Sequence, residues 1–111
     1  ASQLKMRLWR AARVIIDLGT HLGGMTKDEA VELLVDGVGM ERTCARDEVD
    51  RYVESPLYYS GYMVGCLEIE ALRAEVERRE GDDFDLCAFH DRLLACGPLP
   101  FRFVRRVMLG E

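Results

Sequence analysis

Apolar residues recur at three- and four-residue intervals through most of this chain, and no stretch of useful length alternates apolar with polar. That period belongs to helices with one buried face, so the pattern predicts an all-α fold of about six helices. The first starts at a Ser2 cap and carries Leu4, Leu8, Ala11, Ala12, Ile15 and Leu18 as its apolar positions. Gly19 is expected to end or loosen it, and Gly23-Gly24 to stop it. Thr26-Lys27-Asp28-Glu29 has the form of a capping box and opens a second helix that buries Ala30, Leu33 and Leu34 before Gly37 and Gly39 break the pattern.

A third helix is expected from about Glu41 to Val53, with Cys44, Ala45, Val49, Tyr52 and Val53 on its apolar side, ended by Ser55-Pro56. A long fourth helix then runs from Leu57 or Ser60 to about Glu80. Its first half is small and apolar (Gly61, Gly65, Cys66) and its second half charged, which suggests that the first end enters a crowded interior. One of Asp82, Asp83 and Asp85 opens a fifth helix burying Leu86, Phe89, Leu93 and Leu94. Gly97-Pro98 ends it, and Pro100 opens a short last helix through Phe103, Val104 and Val107. At 111 residues the chain is expected to be a single helical domain, or the C-terminal part of a longer protein.

Composition narrows the partners. With 49% hydrophobic and 32% charged residues the chain has the makeup of an ordinary globular protein. A net charge of −5 disfavours nucleic acid, which needs concentrated positive charge, and Arg102, Arg105 and Arg106 are the kind of cations a solvated helix face carries. No apolar run reaches the length that crosses a bilayer, so no membrane partner is expected. Four cysteines at wide, irregular spacing fit free thiols in a reducing compartment, and the expected location is cytoplasmic.

Several polar residues sit inside apolar helical text, where a site wall would put them. Asp17 and His21 are four apart and share a helical face, either as a local pair or as an oriented imidazole facing a cleft. Tyr52, Tyr58, Tyr59 and Tyr62 gather around Pro56; phenols there either pack with their hydroxyls at the rim or donate to a developing oxyanion. Arg10, Arg13 and Arg51 need carboxylate partners, for which Asp17, Glu48 or a substrate carboxylate are candidates. Cys87, His90, Asp91 and Cys96 lack the ligand spacing of a zinc site, and no metal ligand is assigned.

These blocks together resemble the C-terminal segment of the bacterial domain-of-unknown-function 885 family, large helical proteins similar to zinc peptidases of the HExxH gluzincin type. The family pattern W/F-R-A-x-R-L-V-V-D-T-G-I-H stands here as the stretch Trp9 to His21, and G-W-T-R-E-Q-A as Gly24 to Ala30. E-V-x-R-Y falls on Glu48, Val49, Arg51 and Tyr52, and P-G-Q-A-x-x-Y-x-x-G on Pro56 to Gly65. Leu72-Arg73, Phe84-Asp85-Leu86, Phe89-His90-Asp91 and Gly97-Pro98-Leu99-Pro100 continue the match. The family's Gly, Gln and Trp are replaced by Leu57, Tyr58 and Met25.

The resemblance implies that the zinc ligands lie upstream of this chain, which itself holds no cofactor. It implies a second wall for peptide hydrolysis, inactive alone, with Tyr62 and His21 as oxyanion donors. Arg51, Tyr52 and Tyr58 would bind substrate, while Asp17, Glu48 and Arg13 support them. The partner implied is the upstream catalytic half of the same protein, with a peptide as its substrate. The competing expectation is a non-catalytic helical interaction module that forms a homo-oligomer through an exposed apolar face.

Overall fold

A computed structural model describes residues Ser2–Glu111. They form an all-α structure of six α-helices: α1 (Ser2–Leu22), α2 (Lys27–Glu32), α3 (Arg42–Glu54), α4 (Gly61–Glu80), α5 (Leu86–Ala95) and α6 (Phe101–Leu109). No helix among the described residues is long and apolar enough to cross a membrane. The contacts gather into two compact units, one running to Val64 and the other from Gly65 to Glu111, where the sequence suggested one domain.

In the first unit, α1, α2 and α3 enclose a core of Ala12, Ile16, Ala30, Val31, Leu34, Val38, Ala45, Val49 and Tyr52. The expected loosening at Gly19 does not occur, and α1 runs on to Leu22. Gly19 serves the turn instead: its carbonyl accepts the N–H groups of Gly23 and Met25 at 3.0 and 2.9 Å. A Cβ there would stand 2.8 Å from the Met25 methyl, so the missing side chain makes room for the returning chain.

The capping box forms as the sequence predicts, with Thr26 Oγ accepting from the Glu29 N–H and the Glu29 carboxylate accepting from the Thr26 N–H. Beyond α2 the chain widens into a π-helical turn, Leu33–Gly37, that periodicity did not anticipate. Glu41 then caps α3 by accepting from the N–H groups of Thr43 and Cys44.

The buried stripe of α1 is a correction. Ala12, Ile16 and Asp17 face the core, whereas Leu4, Leu8, Ile15 and Leu18 of the expected apolar face are exposed. Cys44, expected inside on α3, is exposed as well.

In the second unit, α4 from Gly65 onward packs with α5 and α6 around Leu72, Val76, Phe89, Val104 and Met108. The crowding expected at the start of α4 is absent. A Cβ on Gly61 or Gly65 would meet nothing within 4 Å, and the buried residues of α4 lie in its charged half. Asp85 is the acid that caps α5, accepting from the Ala88 N–H at 2.6 Å. Phe89 is buried, but Leu86 and Leu94 are exposed. Successive residues on a helix stand about 100° apart, so with Leu93 turned toward the core Leu94 is turned from it.

Candidate functional site

Asp17 is buried on α1 and is nevertheless a carboxylate, so its oxygens require donors. They receive three. Ser60 Oγ donates at 2.6 Å, the Leu57 N–H donates at 3.1 Å, and His21 Nδ1 stands 3.0 Å away, one turn along the same helix. Two of the donors belong to the turn at residues 56–60, so the carboxylate ties that turn to α1. Leu57 is held there at φ 66°, a left-handed conformation that costs a residue with a Cβ about 1–2 kcal/mol.

The surroundings of His21 decide its protonation. Nδ1 lies 2.8 Å from the Asp17 carbonyl as well as beside its carboxylate, and Nε2 lies 3.3 Å from the Val53 carbonyl. Carbonyl and carboxylate oxygens only accept, so the arrangement favours the imidazolium, which donates from both nitrogens. The Asp17 carbonyl first, then the Val53 carbonyl, raise the His21 pKa above 6.5. The expected oxyanion donor therefore has both N–H groups directed at the chain itself, and His21 fastens α1 to the end of α3.

A second network lies between α1 and α3. Tyr52 is buried, and its hydroxyl accepts from Trp9 Nε1 at 2.9 Å and from Arg13 Nε at 3.2 Å while donating to Glu48 at 2.7 Å. Burial, before any other cause, pushes this phenol's pKa up. With one proton and two lone pairs all engaged, Tyr52 has no hydrogen bond left for a substrate. Glu48, rather than Asp17, is the carboxylate facing Arg13, at 3.6 Å, and it also accepts from Arg51 at 2.8 Å. Arg51 is exposed and borders a cleft of about 550 Å³ together with Lys5, Trp9, Met40 and Glu48.

Arg13 also stands among rings. Its guanidinium carbon is 4.6 Å from the centre of the Trp9 ring, and 5.3 and 5.6 Å from the Tyr62 and Tyr59 rings. Tyr59 packs against buried Tyr52 with ring centres 5.1 Å apart, and Tyr58 meets Tyr59 edge-on at 5.0 Å. Tyr58 and Tyr62, whose ring centres are 6.3 Å apart, are both exposed. A hydrogen bond to Tyr62 is the first cause of a raised pKa at Tyr58. The result is a phenol-bearing surface fixed from beneath by a cation.

Of the residues singled out from sequence, Tyr58 and Tyr62 share this surface with Arg13 behind it. Arg51 faces the separate cleft, and Tyr52, Asp17 and His21 are engaged internally. Sequence reasoning gave no role to Trp9 or Ser60, and took Tyr59 only as one of the four tyrosines around Pro56. Trp9 and Arg13 stand four apart, which would have placed them on one helical face. Ser60 meets Asp17 across 43 residues and left no local signal. Among the described residues, no three His, Cys, Asp or Glu side chains come close enough to hold a metal ion.

This architecture defines an all-α protein with an aromatic surface braced by buried ionic networks. The chain belongs to a family described as bacterial protein of unknown function (DUF885), whose profile matches residues 1–108. A solved structure described as "a putative lipoprotein of unknown function from Shewanella oneidensis" is 33% identical and superposes with a TM-score of 0.89. The match covers 95% of this chain and 19% of that one, so the chain spans about a fifth of the length of its structural relative. No curated protein matches.

Two predictions follow from the Asp17 clamp. Leu57→Gly should raise stability by about 1 kcal/mol in chemical denaturation, because Leu57 is exposed and glycine accepts the positive φ without strain; a loss would mean that the Leu57 side chain matters more than its backbone. His21 stabilises the fold while protonated, since its pKa is higher folded than unfolded. That contribution is complete below about pH 6.5 and fades as pH rises through the folded pKa. The gap in Tm between the native chain and His21→Gln should therefore narrow from about pH 5.5 to about pH 8.5; a constant gap would contradict an imidazolium.

Proposed function

We propose that this chain is the C-terminal, substrate-facing wall of a longer peptidase-like protein, and that it hydrolyses nothing by itself. The observation that carries this reading is the exposed Tyr58–Tyr62 pair on rings braced by Arg13. A phenol fixed in this way can donate a hydrogen bond to an oxygen as negative charge develops on it during peptide hydrolysis. The neighbouring ring faces offer apolar contact to peptide side chains. Tyr62 is assigned as the donor and Tyr58 as its partner. Arg51 meets substrate only where a peptide reaches the cleft beside α3. His21, Asp17, Tyr52, Glu48 and Arg13 hold this wall in shape.

Zinc, implied by the likeness to HExxH peptidases, does not fit the residues of this chain, because no three of its potential ligands converge among the described residues. Such an ion would be held by residues elsewhere in the longer protein. The described character of the Shewanella relative as a lipoprotein supports an envelope location for that protein over the cytoplasm expected from cysteine usage. The second reading, a self-associating helical module, draws support from the exposed leucines and isoleucine of α1.

The test assays the longer encoded polypeptide and the 111-residue chain against a peptide mixture by mass spectrometry. The longer protein should cleave, and Tyr62→Phe should lower its kcat about 10²–10³-fold with little change in KM. The short chain in chelator should cleave nothing. Turnover by the short chain, or full activity in Tyr62→Phe, would refute the reading.

A further inference from the structure

The exposed apolar residues of α1 are ordered. Leu4, Leu8, Ala11, Ile15, Leu18 and Leu22 alternate steps of four and three over the length of the helix, which is the seam of a coiled coil. They are distinct from the stripe of Ala12, Ile16 and Asp17 that the core covers. Ile15 is 53% exposed and Leu22 is 83% exposed, so the seam is open in its middle and at its end. Solvated apolar rows of this length on a folded chain mark contact surfaces. At the C-terminal end the seam runs into an apolar cavity of about 220 Å³ lined by Leu18, Leu22, Pro56 and Leu57, with His21 at its edge.

Charge restricts what can cover the seam. Lys5, Arg7 and Arg10 lie along the N-terminal half of α1, and the one carboxylate in the helix, Asp17, is buried. Lys5 and Arg7 flank the seam, and two copies paired in parallel would gather four such cations at one end of the pair. An antiparallel pair would bring Arg7 near His21, whose ring nitrogens stand against carbonyl and carboxylate oxygens and so offer it no acceptor in their donating forms. Like charges beside a seam are a standard device against self-pairing, and opposite charges select a partner. The length outside this chain points to the source, since the structural relative is about five times longer than the region matched.

We propose that the α1 seam is the docking face for an amphipathic helix of the longer polypeptide. That helix has acidic residues flanking its apolar stripe and a bulky apolar side chain that fills the cavity at Leu18 and Leu22. The inference rests on the reading of this chain as part of a larger protein, and it adds where and by what chemistry the parts join.

The experiment follows the alkylation rate of Ile15→Cys, mapped by peptide mass spectrometry; position 15 is exposed, so the variant keeps the core. In the 111-residue chain the thiol should react freely, and in the longer encoded polypeptide at least about tenfold more slowly. A synthetic three-heptad peptide with leucine seams and glutamate flanks should slow the reaction in the short chain, and the same peptide with lysine flanks should not. Equal rates in short and long proteins, equal effects of both peptides, or a rate in the short chain that falls with its own concentration would each overturn the proposal. The last outcome would mean that a second copy covers the seam. A gene encoding nothing beyond these residues would overturn both this inference and the proposed function. Otherwise the two fail separately: protection at position 15 without peptide hydrolysis removes the proposed function alone, and hydrolysis without protection removes this inference alone.

Discussion

A buried carboxylate is the constraint on which the first unit depends. Asp17 has no solvent to satisfy it, and its partners come from outside regular helix ladders: a serine hydroxyl, the backbone N–H of a residue in left-handed conformation, and an imidazolium. Removing a neutral donor would leave a buried acceptor unfilled, and removing His21 would take away the one group that can oppose the charge; either costs more than a surface pair contributes. The turn at residues 56–60 therefore has one position on α1. The tyrosines at 58, 59 and 62 inherit theirs from it.

The rings are carried by that turn. Tyr59 packs on Tyr52, which is itself fixed by Trp9, Arg13 and Glu48, so the exposed phenols stand on a stack whose lower members cannot rotate freely. Preorganisation of this kind is what the proposed contact with substrate requires of these tyrosines. The two networks share no atoms, yet both close across α1 and α3. A helix–helix contact thus determines the geometry of a surface formed by neither helix.

Much of this was legible in the sequence, and the limits have physical causes. Helix class and ends came through because capping is local: Thr26 with Glu29, Pro56 after α3 and Asp85 before α5 act within a few residues. The buried stripe of α1 did not come through. Apolar residues cover more than half its circumference, and periodicity cannot choose between Ala12–Ile16 and the row from Leu4 to Leu22. Glycines at 61 and 65 suggested close approach, but among the described residues nothing stands within 4 Å of where a Cβ on either would lie. Pairs close in sequence, such as Asp17 with His21, could be read from helical spacing, and Glu48 was one of the carboxylates offered to the arginines, but long-range partners could not be read. Ser60 finds Asp17, and Trp9 finds Tyr52, across 43 residues each.

The most direct measurement is the stability of Asp17→Ala by chemical denaturation near neutral pH. The account predicts a loss of about 2–4 kcal/mol, because Ser60 and the Leu57 N–H lose their shared acceptor together. A loss below about 1 kcal/mol would put Asp17 among ordinary surface carboxylates and contradict the account.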